Sequence, residues 1–195
     1  MWSFSYPSDD LVQSFLMTAS GLSFSYSEVG ATRGEFPLGY HHDSNRIQVG
    51  QSGRAFAAAC SGLRKWQMFP KPWTHIVPAD APIQIDTVVA VVARAMGLWW
   101  LNACRIVYVV DQARPVRRFG FAYGTVDHAE CGEERFTVEW LEDDSVWYDV
   151  RAFSRPRHWT ARLGAPVARR LQHKFARESM AAMRSFVAAS AQQRP

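Results

Sequence analysis

Among the side chains able to do chemistry, the adjacent acids Glu133 and Glu134 come first. They follow the turn-like DHAECGE, and strand alternation puts Glu134 on one face with Phe136, Val138 and Trp140. A carboxyl entering an apolar interior has its pKa pushed up, which suits proton transfer or a hydrogen bond to a ligand hydroxyl. The competing expectation is a solvated carboxylate at a frayed strand start. Tyr40-His41-His42-Asp43 is the most conspicuous polar cluster. Neighbouring histidines on an extended segment point in opposite directions, and no second ligand pair has suitable spacing, so no metal is expected. His41 remains as a polar contact, or as a residue that locks the segment. Glu178 is the sole acid of a basic C-terminal segment, and Arg155 lies where a guanidinium can clamp an anionic group or tie a junction.

Other chemistries lack their residues. There is no G-x-S-x-G nucleophile frame, and Ser52 in GQSG does not supply one. Gly120 and Gly124 lie inside a strand that returns as a hairpin, so they are not a dinucleotide fingerprint; close packing against the wrapping segment Phe24 to Asp43 explains them better. Cys60 and Cys104 read as core filler. No phosphate loop is present, and no cofactor is expected.

The elements that must position these groups follow from periodicity. Ser8 caps a helix through about Ala19, and a second helix over Arg54–Trp66 carries Phe56, Ala59, Cys60, Leu63 and Trp66 on one stripe. Between them, Phe24 to Asp43 has no helical period and reads as an extended wrapping segment with a short strand at its start; Asn45–Val49 is a weak strand. Beyond Pro70 the period changes to two. Strands are expected at Thr74–Val77, Ile83–Arg94, Ala103–Asp111, Arg117–Val126, Glu134–Glu142 and Val146–Phe153, with hairpin-sized links. Phe119, Phe121 and Tyr123 share a face, as do Tyr148, Val150 and Ala152, and as do Ile83, Ile85 and Val89; Arg135, Thr137, Glu139 and Asp149 suit solvent.

The last element is a long helix, Val167 to Ala189, roughly 35 Å at 1.5 Å per residue. Pro166 suits its first turn, while Ser154 and Pro156 can start a helical turn before it. Counting from Leu163, Val167, Ala168, Leu171, Phe175, Ala182 and Phe186 make an apolar stripe; Arg162, Arg169, Arg170, His173, Arg177 and Arg184 lie opposite. An aromatic sheet face and an apolar helix stripe each need a cover. The economical answer is an α+β fold in which a curved antiparallel sheet grips the C-terminal helix, as one domain over 1–195 with 1–43 as helix and wrapping segment.

Bulk composition narrows the class. The 22 basic and 18 acidic residues are unevenly placed: from Arg151 onward there are ten basic residues and one acid. A basic face of this kind can bind RNA or anionic lipid, but without a recognised motif it reads mainly as solvated surface, and nucleic acid is not the expected partner. Three widely spaced cysteines argue for reduced thiols in the cytoplasm. The most apolar region, Ile83 to Val110, is interrupted by Asp86, Arg94 and Arg105, which speaks against a membrane span.

The phrases SYSEVGATRG, PLGYHH, WQMF, CRIVYVVD, FGFAYGTVDHAECGEERFTVE and AFSRPRHWTARLGAPVARRLQ, in that order from Ser25 to about Gln172, resemble the UPF0548 family, a domain-of-unknown-function group. Ala129 and Ser179 depart from the pattern, where proline and an aromatic are usual. The family is similar in element order to START-like (SRPBCC) helix-grip proteins. By analogy, the resemblance implies a ligand cavity between sheet and helix.

The expected function is therefore the binding of a small apolar or amphipathic molecule. Phe121, Tyr123, Phe136, Trp140 and Tyr148 are expected to form the wall, with His41, Glu134, Arg155 and Glu178 as polar contacts. An enzyme of the same fold, moving a proton through Glu134 or His41 on a polyketide- or isoprenoid-like substrate, is the alternative.

Overall fold

The computed structural model describes residues 1–128, 130–157 and 165–192; Ala129, Arg162 and Leu163 lie outside them. Its strands are β1 (Trp2–Ser3), β2 (His41–Gln51), β3 (Thr74–Val77), β4 (Val88–Ala95), β5 (Leu98–Gln112), β6 (Arg117–Asp127), β7 (Glu130–Trp140) and β8 (Ser145–Pro156). Its α-helices are α1 (Asp9–Ser20), α2 (Ser52–Arg64) and α3 (Ala165–Gln192). The strands form one antiparallel sheet in the order β2-β8-β7-β6-β5-β4-β3, with β1 against β5. The run from β3 to β8 is the expected meander, and β2 joins its far edge beside β8.

Local chemistry accounts for most boundaries. Ser8 caps α1 by accepting from the Leu11 N–H, and Val12, Phe15, Leu16 and Ala19 form its buried stripe against β4 and β5. Alternation on β6, β7 and β8 sends Phe121, Phe136, Val138, Tyr148 and Val150 into a common core with α2 and α3. No helix among the described residues is long and apolar enough to cross a membrane.

Four expectations are corrected. Ile83 and Ile85 precede the strand, because the turn at Asp86, with φ of 68°, breaks the extended backbone and the regular strand begins only at Val88; Ile85 is 61% exposed. Ser154, Arg155 and Pro156 end β8 instead of starting a helix, since β7 pairs along all three and β2 pairs with Ser154. The wrapping segment starts with no strand; its ordered turn is the 3-10 stretch Ala31–Arg33. Finally, Thr137 and Glu139 are buried, because long side chains cover that side of the sheet: Glu139 pairs with Arg46 at 2.8 Å and Arg118 at 2.6 Å. Arg135 reaches Asp149 at 3.5 Å and donates to the Thr32 carbonyl.

The wrapping segment is fastened from inside the sheet. Glu133, 2% exposed, accepts hydrogen bonds from the Tyr26 hydroxyl at 2.8 Å, the Gly30 N–H at 2.6 Å and the Thr32 N–H at 3.0 Å, and from the Thr32 hydroxyl. Thr32 also meets the Tyr108 hydroxyl. Burial and the neighbouring Glu133 push the Tyr26 phenol well up, so it stays a donor. Gly124 makes the approach possible, for a Cβ there would stand 2.0 Å from the Tyr26 hydroxyl oxygen. Gly124→Ala is accordingly expected to cost about 1–3 kcal/mol by displacing the ring. Urea unfolding checks this, and an unchanged midpoint would mean that Tyr26 does not pack there.

Candidate functional site

The two halves of α3 meet the sheet differently. In the C-terminal half Ser179, Met183 and Val187 are fully buried, and the Ser179 hydroxyl lies 2.8 Å from that of Tyr148. There α2 comes close as well: a Cβ on Gly62 would touch Phe186 at 3.0 Å and Met183 at 3.2 Å. In the N-terminal half the helix is held at the sheet edge by polar bridges. Arg169 grips Asp43 of β2 with two bonds of 2.5 and 3.0 Å, and Gln172 donates to Ser154 of β8 at 3.0 Å. Arg169 thus turns inward, contrary to the outer position its angle suggests, and Val167 stays 36% exposed. Between this half and the sheet lies a pocket of about 550 Å³, flanked by Leu171, Phe175, Phe69, Trp73, Trp100 and Val150.

At the sheet side of the pocket stands one carboxyl–phenol pair. Glu134 on β7 faces Tyr123 on β6 across directly paired positions, and the Tyr123 hydroxyl donates to the carboxylate at 2.8 Å. Burial raises the Glu134 pKa from 4.5 to about 7, against the lowering effect of the Tyr123 bond, and Asp43 adds a further push upward. The Tyr123 phenol is pushed well up by burial and then by Glu134, so near neutrality it donates. A carboxyl poised in this range can hold or release a proton, or exchange hydrogen bonds with a guest. Nearby, His128 accepts the Glu130 N–H on Nδ1, so its own proton sits on Nε2, and burial lowers its pKa to about 4. Asn102, 7% exposed, lines the pocket with its amide unpaired among the described residues.

A family model described as a domain of unknown function (DUF1990) matches residues 25–182, a span that takes in the Glu133 fastening and the whole pocket lining. The chain belongs to this family. A UPF0548 protein of Dictyostelium discoideum is 32% identical over 199 residues, 92% of each chain. One of Arabidopsis thaliana is 31% identical over 150 residues, 74% of this chain and 72% of that one. In shape, this DUF1990 chain is similar to a hypothetical protein of Helicobacter pylori, with a TM-score of 0.53 at 13% identity over 75% of this chain and 88% of the other. A protein of Nitrosomonas europaea gives 0.51 at 10% identity over 78% and 97%. These two likenesses concern the fold alone. The curved antiparallel sheet with its C-terminal helix is a helix-grip fold.

Within this DUF1990 fold the residues singled out from sequence separate into groups. Tyr123 and Glu134 are brought together on the pocket wall. Phe121, Phe136 and Tyr148 are 0% exposed and fill the core under α2 and the far half of α3, outside the pocket lining. Trp140 stacks on Phe56 of α2, with ring centroids 6.0 Å apart. His41 is exposed at the start of β2 opposite Ser154, and Arg155 lies 4.5 Å over the Tyr40 ring. Glu178 accepts from Trp73 Nε1 at 2.7 Å, with Lys174 3.7 Å away. Asn102, Arg169 and His128 were not legible as site residues, and Asp43 stood out only as a member of the Tyr40-His41-His42-Asp43 cluster. Asp43 and Arg169 are 126 positions apart, and only the sheet's far-edge pairing brings them together.

Proposed function

We propose that this protein binds a small, largely apolar or amphipathic molecule between the sheet and the N-terminal half of α3. The observation that carries the reading is a pocket of about 550 Å³ with mainly apolar walls and a hydrogen-bonded carboxyl–phenol pair, Glu134 with Tyr123, on one of them. That volume lies in the range of small-molecule sites, and sparse polar groups on an apolar wall orient a guest. Filled interiors look different, as the tight far half of the same helix demonstrates.

Native mass spectrometry of the purified protein tests this by seeking a co-purified small molecule. Ala168→Trp, which fills the pocket from a half-buried helix position, is expected to abolish the adduct and leave the melting temperature nearly unchanged. An adduct that persists undiminished in this variant would place the guest elsewhere. A second reading, proton transfer on the bound molecule, is favoured by the 2.8 Å Glu134–Tyr123 contact. Incubating the recovered molecule with fresh protein separates the two: an unchanged mass supports carriage, an altered one chemistry.

A further inference from the structure

Resting on the pocket reading above, we propose that the molecule held there is an organic cation, a protonated amine or quaternary ammonium on an apolar body, with its charge at Glu134 and Asn102. Four carboxyl residues, Asp43, Glu130, Glu133 and Glu134, are among the lining residues, Glu133 with its carboxylate turned to the wrapping segment on the other face, and none of the described lining residues is lysine or arginine. His128, the one basic side chain of that lining, is neutral near pH 7 because burial holds its pKa at about 4.

These carboxyls are not equivalent. Asp43 is matched by the two Arg169 bonds. Glu133 is saturated by Tyr26, Gly30 and Thr32. Glu130 faces the electrostatic field of Arg169 and the hydroxyl of Ser154. Glu134 has only the Tyr123 hydroxyl, and the one charged group acting on it is another acid, Asp43. An ionised carboxylate in an apolar wall without a cation is the costly arrangement that a positively charged guest relieves. An anionic guest meets the reverse, a lining whose described charged side chains are all carboxyls.

Aromatic rings supply the second half of the recognition. From Glu134 the wall continues through Tyr123 to Phe69 at 6.5 Å, from Phe69 to Phe175 at 5.3 Å, and from Phe175 to Trp73 at 6.5 Å between centroids. Ring faces attract ammonium groups, and the attraction grows when water is excluded. The nearby described cations are already engaged: Lys174 lies over Trp73 at 3.9 Å and beside Glu178, and Arg169 is bound to Asp43. The unpaired Asn102 amide, nine-tenths buried, offers a carbonyl to an N–H donor.

The test uses three probes of equal chain length, decylamine, decanol and decanoate, titrated calorimetrically into the full chain at low salt and about pH 8, where Glu134 is ionised. Decylamine is expected to bind at least about tenfold more tightly than decanol, the worth of one charge-assisted contact, and decanoate most weakly. Glu134→Gln, a change of no size, is expected to remove the amine's advantage over decanol. Decanoate binding as tightly as decylamine, or an amine preference that survives Glu134→Gln, would overturn the inference. Equal binding of decanol and decylamine overturns it too, yet leaves the pocket reading standing. Failure of all three probes removes both.

Discussion

Glu133→Ala is expected to destabilise the fold by about 3–5 kcal/mol, the cost of removing one partner from a buried, charged hydrogen-bond network. The carboxylate satisfies the Tyr26 hydroxyl and the backbone N–H groups of Gly30 and Thr32, and the Thr32 N–H and hydroxyl sit in a fully buried position. Alanine leaves these donors without water or acceptor. Against a typical total of about 5–15 kcal/mol, the loss is large enough to read in a single urea melt. Glu133→Gln keeps the volume but points an N–H toward N–H donors, so about half the effect is expected. The loss also has a local signature: the segment from Ser25 to Tyr40 becomes the first site of limited proteolysis. A midpoint within about 1 kcal/mol of wild type would mean that the segment is held by its aromatic contacts alone, the packing of Tyr26, Phe36 and Tyr40 around Phe153.

Glu134→Gln is expected to act in the opposite direction above neutrality. The folded state raises this carboxyl from 4.5 to about 7, so it holds its proton more tightly than the unfolded chain does. The sign follows from that difference. Stability from the group is fully present below about pH 4.5, declines as pH rises, and is lost once pH passes about 7. At about 1.36 kcal/mol per unit, the penalty at pH 8 is a little over ~3 kcal/mol, and glutamine, which cannot ionise, escapes it. His128 slopes the other way: its pKa falls from 6.5 to about 4 on burial, so its contribution grows as pH rises across that interval. The wild-type curve therefore mixes both, while the difference between wild type and Glu134→Gln isolates the carboxyl. The variant should be about 2–3 kcal/mol more stable at pH 8 and show no advantage at pH 4. Parallel curves for the two proteins would mean that Glu134 is already solvated in the fold.

That the same residue weakens the fold and faces the pocket connects stability to function. A group that costs free energy in the empty protein is one whose cost a bound partner can relieve. Glu133 and Glu134 are neighbours in sequence with opposite consequences, because a strand turns successive side chains to opposite faces. One meets four donors; the other meets one phenol and a void.

Parity along β7 was enough to place Glu134 with Phe136 and against the helix side of the sheet. It could not show that the other side is also covered. The cover at Glu133 comes from a segment about a hundred positions earlier, and no local period encodes such a contact. Likewise the Gly120–Gly124 spacing signalled close approach. Gly124 meets the wrapping segment as expected, whereas a Cβ on Gly120 would strike the Phe136 carbonyl of the neighbouring strand at 2.1 Å.

The sequence by itself determined the meander, the Ser8-capped helix, the long closing helix and the pairing of an aromatic sheet face with that helix. Short-range rules govern all of these: alternation, capping and hairpin-length links. Only the tertiary structure decided where helix and sheet touch. Small residues and α2 draw the far half of α3 down at Ser179, Met183 and Val187. The near half instead rests on the side-chain lengths of Arg169 and Gln172 reaching Asp43 and Ser154. A helix packed at one end and propped by polar bridges at the other leaves a space between. That space, not the helix's apolar stripe, is what sets Glu134 and Tyr123 apart from the filled core beside them.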